Sequence, residues 1–236
     1  NRRHFHLLTS RLAWVAASGV GSSTLWLPTA ARALDLSQGD ALAGLREALG
    51  RGAKTAVANL GKADGFMGNP QVHIPLPPSF KKVESLMRAM GQGKRLDELE
   101  LAFNRAAESA VPLAQPLLTD AIKSMTVEDA RQVLAGGDTS VTDFFAGKTR
   151  APLTERFLPI VRQTTDKAAL ARKYNDVAGR AKQFGFVKEQ DADVATYVTG
   201  KALDGLFLMI GEEEKQIRRD PVGTGSKLLQ KVFGAL

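Results

Sequence analysis

Cysteine is absent from all 236 residues. Without a thiol the chain can form no disulfide, thiol nucleophile, iron–sulfur cluster, c-type haem link or lipoprotein acyl anchor. Histidine is nearly as scarce. His4 and His6 lie in the first 33 residues, so His73 is the sole histidine beyond them. Zinc and copper sites draw on several His or Cys ligands, and neither is expected. No D-x-[DN]-x-[DN]-G calcium loop occurs either, so no cofactor or metal is expected.

Excess positive charge is scarcer than the totals suggest. Of 32 basic residues, Arg2, Arg3, Arg11 and Arg32 fall within a 33-residue opening that carries no acid, leaving 28 against 25 acidic, a net +3. Aromatic residues are 6% of the chain. A nucleic-acid footprint needs clustered Lys and Arg and usually aromatic platforms, so no nucleic-acid partner is expected.

A long hydrophobic run is missing as well. The apolar stretch from Leu12 to Leu27 is shorter than about 18 uninterrupted apolar residues and is broken by Gly19, Gly21 and several serines, which argues against a transmembrane anchor. Its surroundings read as an address. Arg2-Arg3-His4-Phe5 precedes it and Ala31-Arg32-Ala33 follows, giving basic head, apolar middle and small-x-small end. This predicts an export signal removed after about Ala33 and a protein of the periplasm. The paired arginines suggest the twin-arginine route; an ordinary secretory signal is the alternative.

What remains, residues 34–236, suffices for one domain. No segment pairs alternating residues with hairpin turns, whereas helical periodicity is nearly continuous. The expected fold is all-α: a single-domain bundle of seven to nine helices with proline bends. Ser37 with Asp40, and Thr126 with Asp129, look like capping boxes. Leu42, Leu45, Leu49, Ala53, Ala56 and Leu60 share one face of the first helix. Pro112 and Pro116 should split the run that begins at Leu96. Asp138 to Phe145 predicts a short helix, and Pro152 the first turn of another, bent at Pro159. Leu170, Tyr174 and Val177 predict a helix that fades near Gly185. Ala192 to Ile217 predicts the strongest one, and Lys227 to Phe233 a short amphipathic one that docks on the core. Its contact with a membrane would be at most peripheral.

One segment resists a helix. After the turn cluster Asp64 to Pro70, three prolines force Gln71 to Pro78 into an extended strap. Val72, Ile74 and Leu76 alternate along it, so one side can face the core. Both a packed connection and a lid or partner site fit such a strap, and His73 shares that ambiguity.

Here the sequence resembles a known family. Gly65-Phe66-Met67-Gly68-Asn69-Pro70-Gln71-Val72-His73-Ile74-Pro75-Leu76-Pro77 is similar to the signature of exported bacterial proteins grouped as domain of unknown function 4197. Asn104 to Glu108, Ala121 to Ala130 running on through Gly136-Gly137-Asp138, Lys201 to Phe207 with Glu212 to Lys215, and Val232-Phe233-Gly234 supply further blocks in order. The resemblance spans roughly 36–234. It implies a helical fold and an envelope location, and assigns no activity or catalytic residue.

Catalytic patterns fare poorly. Ser79-Phe80-Lys81-Lys82 matches S-x-x-K, but its partner motifs are missing and Ser79 is better placed to cap a helix. Gly223 to Lys227 lacks the residue order of a phosphate loop. Glu212-Glu213-Glu214 with Lys215, Arg218 and Arg219 suits a solvated helix face. Lys201 and Asp204 interrupt an apolar helix side, as a buried pair or an exposed i,i+3 pair. The candidate ligand or partner site therefore comprises Phe66, Asn69, His73, Asn104, Arg105, Lys201 and Asp204, with Asp64 and Glu108 beside them.

Two functions are compatible with this. The favoured one is non-catalytic binding of a lipid or other apolar ligand, or of an envelope protein. The alternative is a carboxylate-based hydrolase or lyase of envelope polymers, pairing Asp204 with one of Glu212 to Glu214.

Overall fold

A computed structural model describes residues 37–134, 136–167 and 194–234. The export signal expected over residues 1–33, and the helix expected around Leu170, Tyr174 and Val177, lie outside the described residues. All described structure belongs to the compact unit Ala33–Leu236. It is all-α, with eight α-helices and no strand among the described residues.

Helix α1 (Gln38–Leu60) is the hub, packing against α4 (Gln115–Lys123), α5 (Val127–Leu134), α7 (Val194–Arg219) and α8 (Lys227–Phe233). Ser37 caps its start, accepting from the Asp40 amide at 3.0 Å. Its buried face consists largely of small residues, which lets neighbours approach closely. A Cβ on Gly44 would sit 2.6 Å from Val232 Cγ2, and one on Gly52 3.2 Å from Ile210 Cγ2. Leu45, Leu49 and Leu60 fill the remaining space, each stabilising the fold by roughly 1.5–3 kcal/mol.

Helices α2 (Lys81–Ala89) and α3 (Gly93–Ala110) meet at a Schellman turn. Gly91 takes φ +72°, its amide donates to the Arg88 carbonyl and that of Gln92 to Met87. Helix α2 starts behind a 3₁₀ turn with Phe80 at its N-cap; the Ser79 side chain lies outside the described residues. Pro112 and Pro116 split the next run as expected, through a 3₁₀ turn at Val111–Ala114 between α3 and α4. Thr126 and Asp129 form half a capping box: the Asp129 carboxylate accepts the Thr126 amide at 2.7 Å.

The second proline pair behaves differently. Instead of two helices meeting near Pro152, α6 is one helix of 28 residues, Ser140–Lys167, with Pro152 and Pro159 inside it. Interior prolines cost about 3 kcal/mol each. Val141, Phe145, Leu153, Phe157 and Val161 form one buried stripe at multiples of four residues. At roughly 1.5–3 kcal/mol apiece, that stripe outweighs the two prolines. It lies mainly against α7 and α3.

The C-terminal helix α8 is docked on the core through Leu229, Val232 and Phe233, with Ser226 capping it and Lys231 paired to Asp40. No described helix is long and apolar enough to cross a membrane.

Candidate functional site

The strap is fixed to α3 by side chains that mimic a neighbouring peptide strand. The chain leaves α1 through Asp64, which adopts φ +62°. Gly65 then passes so close to α1 that a Cβ would lie 2.5 Å from the carbonyls of Asn59 and Leu60. Phe66 is fully buried and presses on Gly205 of α7, where a Cβ would stand 2.8 Å from its ring. Its amide and that of Met67 donate to Glu108 Oε1 at 3.1 and 3.2 Å. Glu108 is itself buried, and Arg105 neutralises it through Oε2 at 2.6 Å while holding Asp64 at 2.8 Å. The two carboxylates, Glu108 foremost, raise the Arg105 guanidinium above its usual pKa.

Further along, Asn69 closes the turn. Its side chain accepts the Gln71 amide, and its carbonyl accepts those of Val72 and His73. The extended backbone therefore begins at His73 rather than Gln71, because Asn69 keeps the chain turned through Val72. Asn104, wholly buried, then pairs with Ile74 on both sides, accepting its amide and donating to its carbonyl, each at 2.9 Å. The Tyr197 hydroxyl donates to the Pro75 carbonyl at 2.9 Å, and His73 Nε2 lies 3.1 Å from Glu100. Burial, then the charges of Glu100 and Asp204, push the Tyr197 phenol above 10.0. Val72, Ile74 and Leu76 all face the core, as their alternation predicts.

Five of the seven candidates, Phe66, Asn69, His73, Asn104 and Arg105, thus join one latch. Lys201 and Asp204 do not take part in it. They form an exposed i,i+3 pair at 3.4 Å, and Asp204 also meets Arg150 at 2.8 Å. Most of the latch's hydrogen bonds run to backbone or between its own side chains. Its chemistry is positional.

Glu214 corrects the reading of a solvated acidic face. It is buried, accepts the amides of Val141 and Thr142 at the start of α6 and the Thr142 hydroxyl, and meets Arg218 at 2.9 Å. A carboxylate there satisfies helix donors that would otherwise be orphaned. It lies on the stripe Ile210, Glu214, Ile217, and that spacing was the available signal. For the hydrolase reading, Asp204 stands eight or more residues from Glu212 and Glu214 on α7. That is about 12 Å or more along the axis, beyond the roughly 5–9.5 Å between paired glycosidase carboxylates. Among the described residues, no three His, Asp or Glu side chains gather as metal ligands.

A cleft of about 430 Å³ opens between α4, the start of α5 and α6. Met125, Phe144, Phe145 and Leu153 give it apolar walls, to which buried Asp129 adds a carboxylate, and exposed Lys148, Asp120 and Arg156 stand at its edge. Lys148, then the Thr126 amide, hold the Asp129 carboxyl below its usual 3.8. Sequence reasoning missed this cleft, because α6 was expected in two pieces and the wall joins residues far apart in the chain.

A family model described as protein of unknown function (DUF4197) matches residues 35–234. No curated protein and no solved structure matches the chain.

Replacing Asn104 by Ala should lower unfolding free energy by about 2–4 kcal/mol, since both Ile74 backbone groups lose their partner; chemical denaturation measures this. Asp129 should govern part of the acid response. A lowered folded-state pKa contributes stability above 3.8 that is lost as pH falls below it. Asp129→Asn should therefore be less stable at neutral pH and show a shallower loss over roughly pH 4 to 2, read from melting temperature against pH.

Proposed function

The chain belongs to the DUF4197 family, and we propose that this member is a non-catalytic binding protein of the cell envelope, taking an apolar small molecule into the α4–α6 cleft. The cleft carries the proposal. Its volume of about 430 Å³ falls within the roughly 300–1,000 Å³ range of small-molecule sites. Apolar walls with a few polar groups at the edge suit a ligand with a hydrocarbon or aromatic body and a polar end. Each methylene buried there contributes about 0.8 kcal/mol.

Two further observations support the reading. Ala121, Ser124, Met125, Thr126 and Asp129, all from one block of the family resemblance, line the cleft. The chief carboxylate in its wall, Asp129, is held ionised by Lys148 and the Thr126 amide, which makes it a weak base and a poor proton donor near neutrality. Binding needs neither property. The basic, apolar and small-x-small opening of the sequence supports export to the periplasm.

Mass spectrometry of small molecules extracted from protein purified out of the periplasm tests this. An apolar compound recovered with wild-type protein, and reduced tenfold or more with Ala121→Phe, is the expected result. Ala121 is only partly buried, so the larger ring narrows the cleft without entering the core. Recovery of no apolar compound, or equal recovery with a correctly folded variant, would overturn the reading.

A further inference from the structure

The opposite face of α4 carries a different chemistry. At 100° per residue, Gln115, Thr119, Ile122 and Lys123 point away from Asp120, Ala121 and Ser124, which border the apolar cleft. With Arg46, Gly50, Ala53 and Lys54 of α1 they enclose a separate pocket of about 220 Å³. That is about seven times the volume of a bulk water molecule.

Its charges are one-sided. Among the described residues, Arg46, Lys54 and Lys123 line it and no carboxylate does. The acids nearest in sequence are engaged elsewhere: Glu47 with Arg51 at 3.0 Å, and Asp120 with Arg156 at 3.7 Å. Lys54 also borders a neighbouring cleft that contains Glu213 and Asp220, but no ion pair joins it to either among the described residues. Three like charges around one small pocket repel each other unless an anion joins them.

Arg46 adds a second, independent signal. Its Nη2 donates to the carbonyls of Lys123 at 2.7 Å and Met125 at 2.6 Å, serving the C-terminal end of α4. Its Nε is buried and has no hydrogen-bond partner among the described residues. Buried guanidinium N–H groups are normally paired, so the Arg46 guanidinium that lines the pocket is incompletely satisfied.

Gly50 supplies a third. Gly44 and Gly52 sit in close helix packing, whereas a Cβ on Gly50 would meet nothing within 4 Å among the described residues. A glycine in mid-helix is unfavourable relative to alanine. Here it leaves the rim of the pocket open at no benefit to packing.

We propose that this pocket is a binding site for a small organic anion, its carboxylate or phosphate held by Arg46, Lys54 and Lys123 and its short apolar stem resting on Ala53 and Ile122. The guanidinium gives directed donors and the two ammonium groups give charge. The stem gives selectivity over inorganic ions.

Hexyl phosphate titrated calorimetrically into the full chain is the test. Saturable one-site binding is expected, weakened tenfold or more in Lys54→Ala/Lys123→Ala and in Gly50→Leu, with both variants melting at or above the wild-type temperature. Gly50→Leu fills the pocket while removing no charge, so it separates the site from general electrostatic attraction. Inorganic phosphate should bind at least tenfold more weakly, and Ala121→Phe should leave hexyl phosphate binding unchanged, which keeps this site distinct from the apolar cleft. Vesicles containing phosphatidylglycerol distinguish the source: competition with hexyl phosphate supports a lipid headgroup, and its absence supports a free anion. Unsaturable binding, or variants that bind like wild type, would overturn the proposal, and equal affinity for inorganic phosphate would overturn the role of the stem.

Discussion

A buried carboxylate that accepts two backbone amides holds this fold together at its least regular point. Glu108 takes the Phe66 and Met67 N–H groups, and Arg105 offsets its charge while reaching Asp64. Without those acceptors, a proline-rich strap would have to bury its backbone beside α3 with polar groups unpaired, at a cost comparable to losing hydrogen bonds outright. With them, Phe66 can seat against Gly205 and set the approach of α7. Glu214 and Arg218 repeat the device at the start of α6, where the carboxylate accepts Val141 and Thr142. Each pair stands three or four residues apart on one helix, so the counter-charge is supplied locally and the amides come from afar.

That division between local and distant partners decides what the sequence could reveal. The helices were legible, because their apolar period repeats every three or four residues and their ends carry local punctuation such as Ser37, Gly91 and Pro112. The alternating burial of Val72, Ile74 and Leu76 was legible for the same reason. The continuity of α6 was not: Pro152 and Pro159 argue locally for breaks, and only burial of a stripe from Val141 to Val161 overrides them. Asn104, Arg105 and Glu108 stood out only through the block of family resemblance, and their distant partners lie about 30 to 42 residues away. No spacing rule reaches that far. The seven-residue site gathered from sequence is accordingly a latch in five of its members and an exposed ion pair in the other two.

Function follows the same geography. Among the described residues, clefts open on both faces of α4 and, between α1 and the end of α7, beside Glu213 and Asp220. One face, against α6, is mainly apolar with the Asp129 carboxylate in its wall; the other, against α1, is basic and lined by no acid among the described residues. A short helix clamped between a central scaffold and a long proline-containing neighbour is well placed to present both.

Glu108 and Asn104 make the strap part of the core rather than a lid. Native-state amide hydrogen exchange at Phe66, Met67 and Ile74 addresses this directly. If Glu108 and Asn104 hold these amides as described, they exchange only through global unfolding, with protection equal to that of mid-α1 residues such as Leu49 and Ala53. Exchange at those three positions through a low-energy local opening, while α1 stays protected, would contradict the account and make the strap a mobile cover.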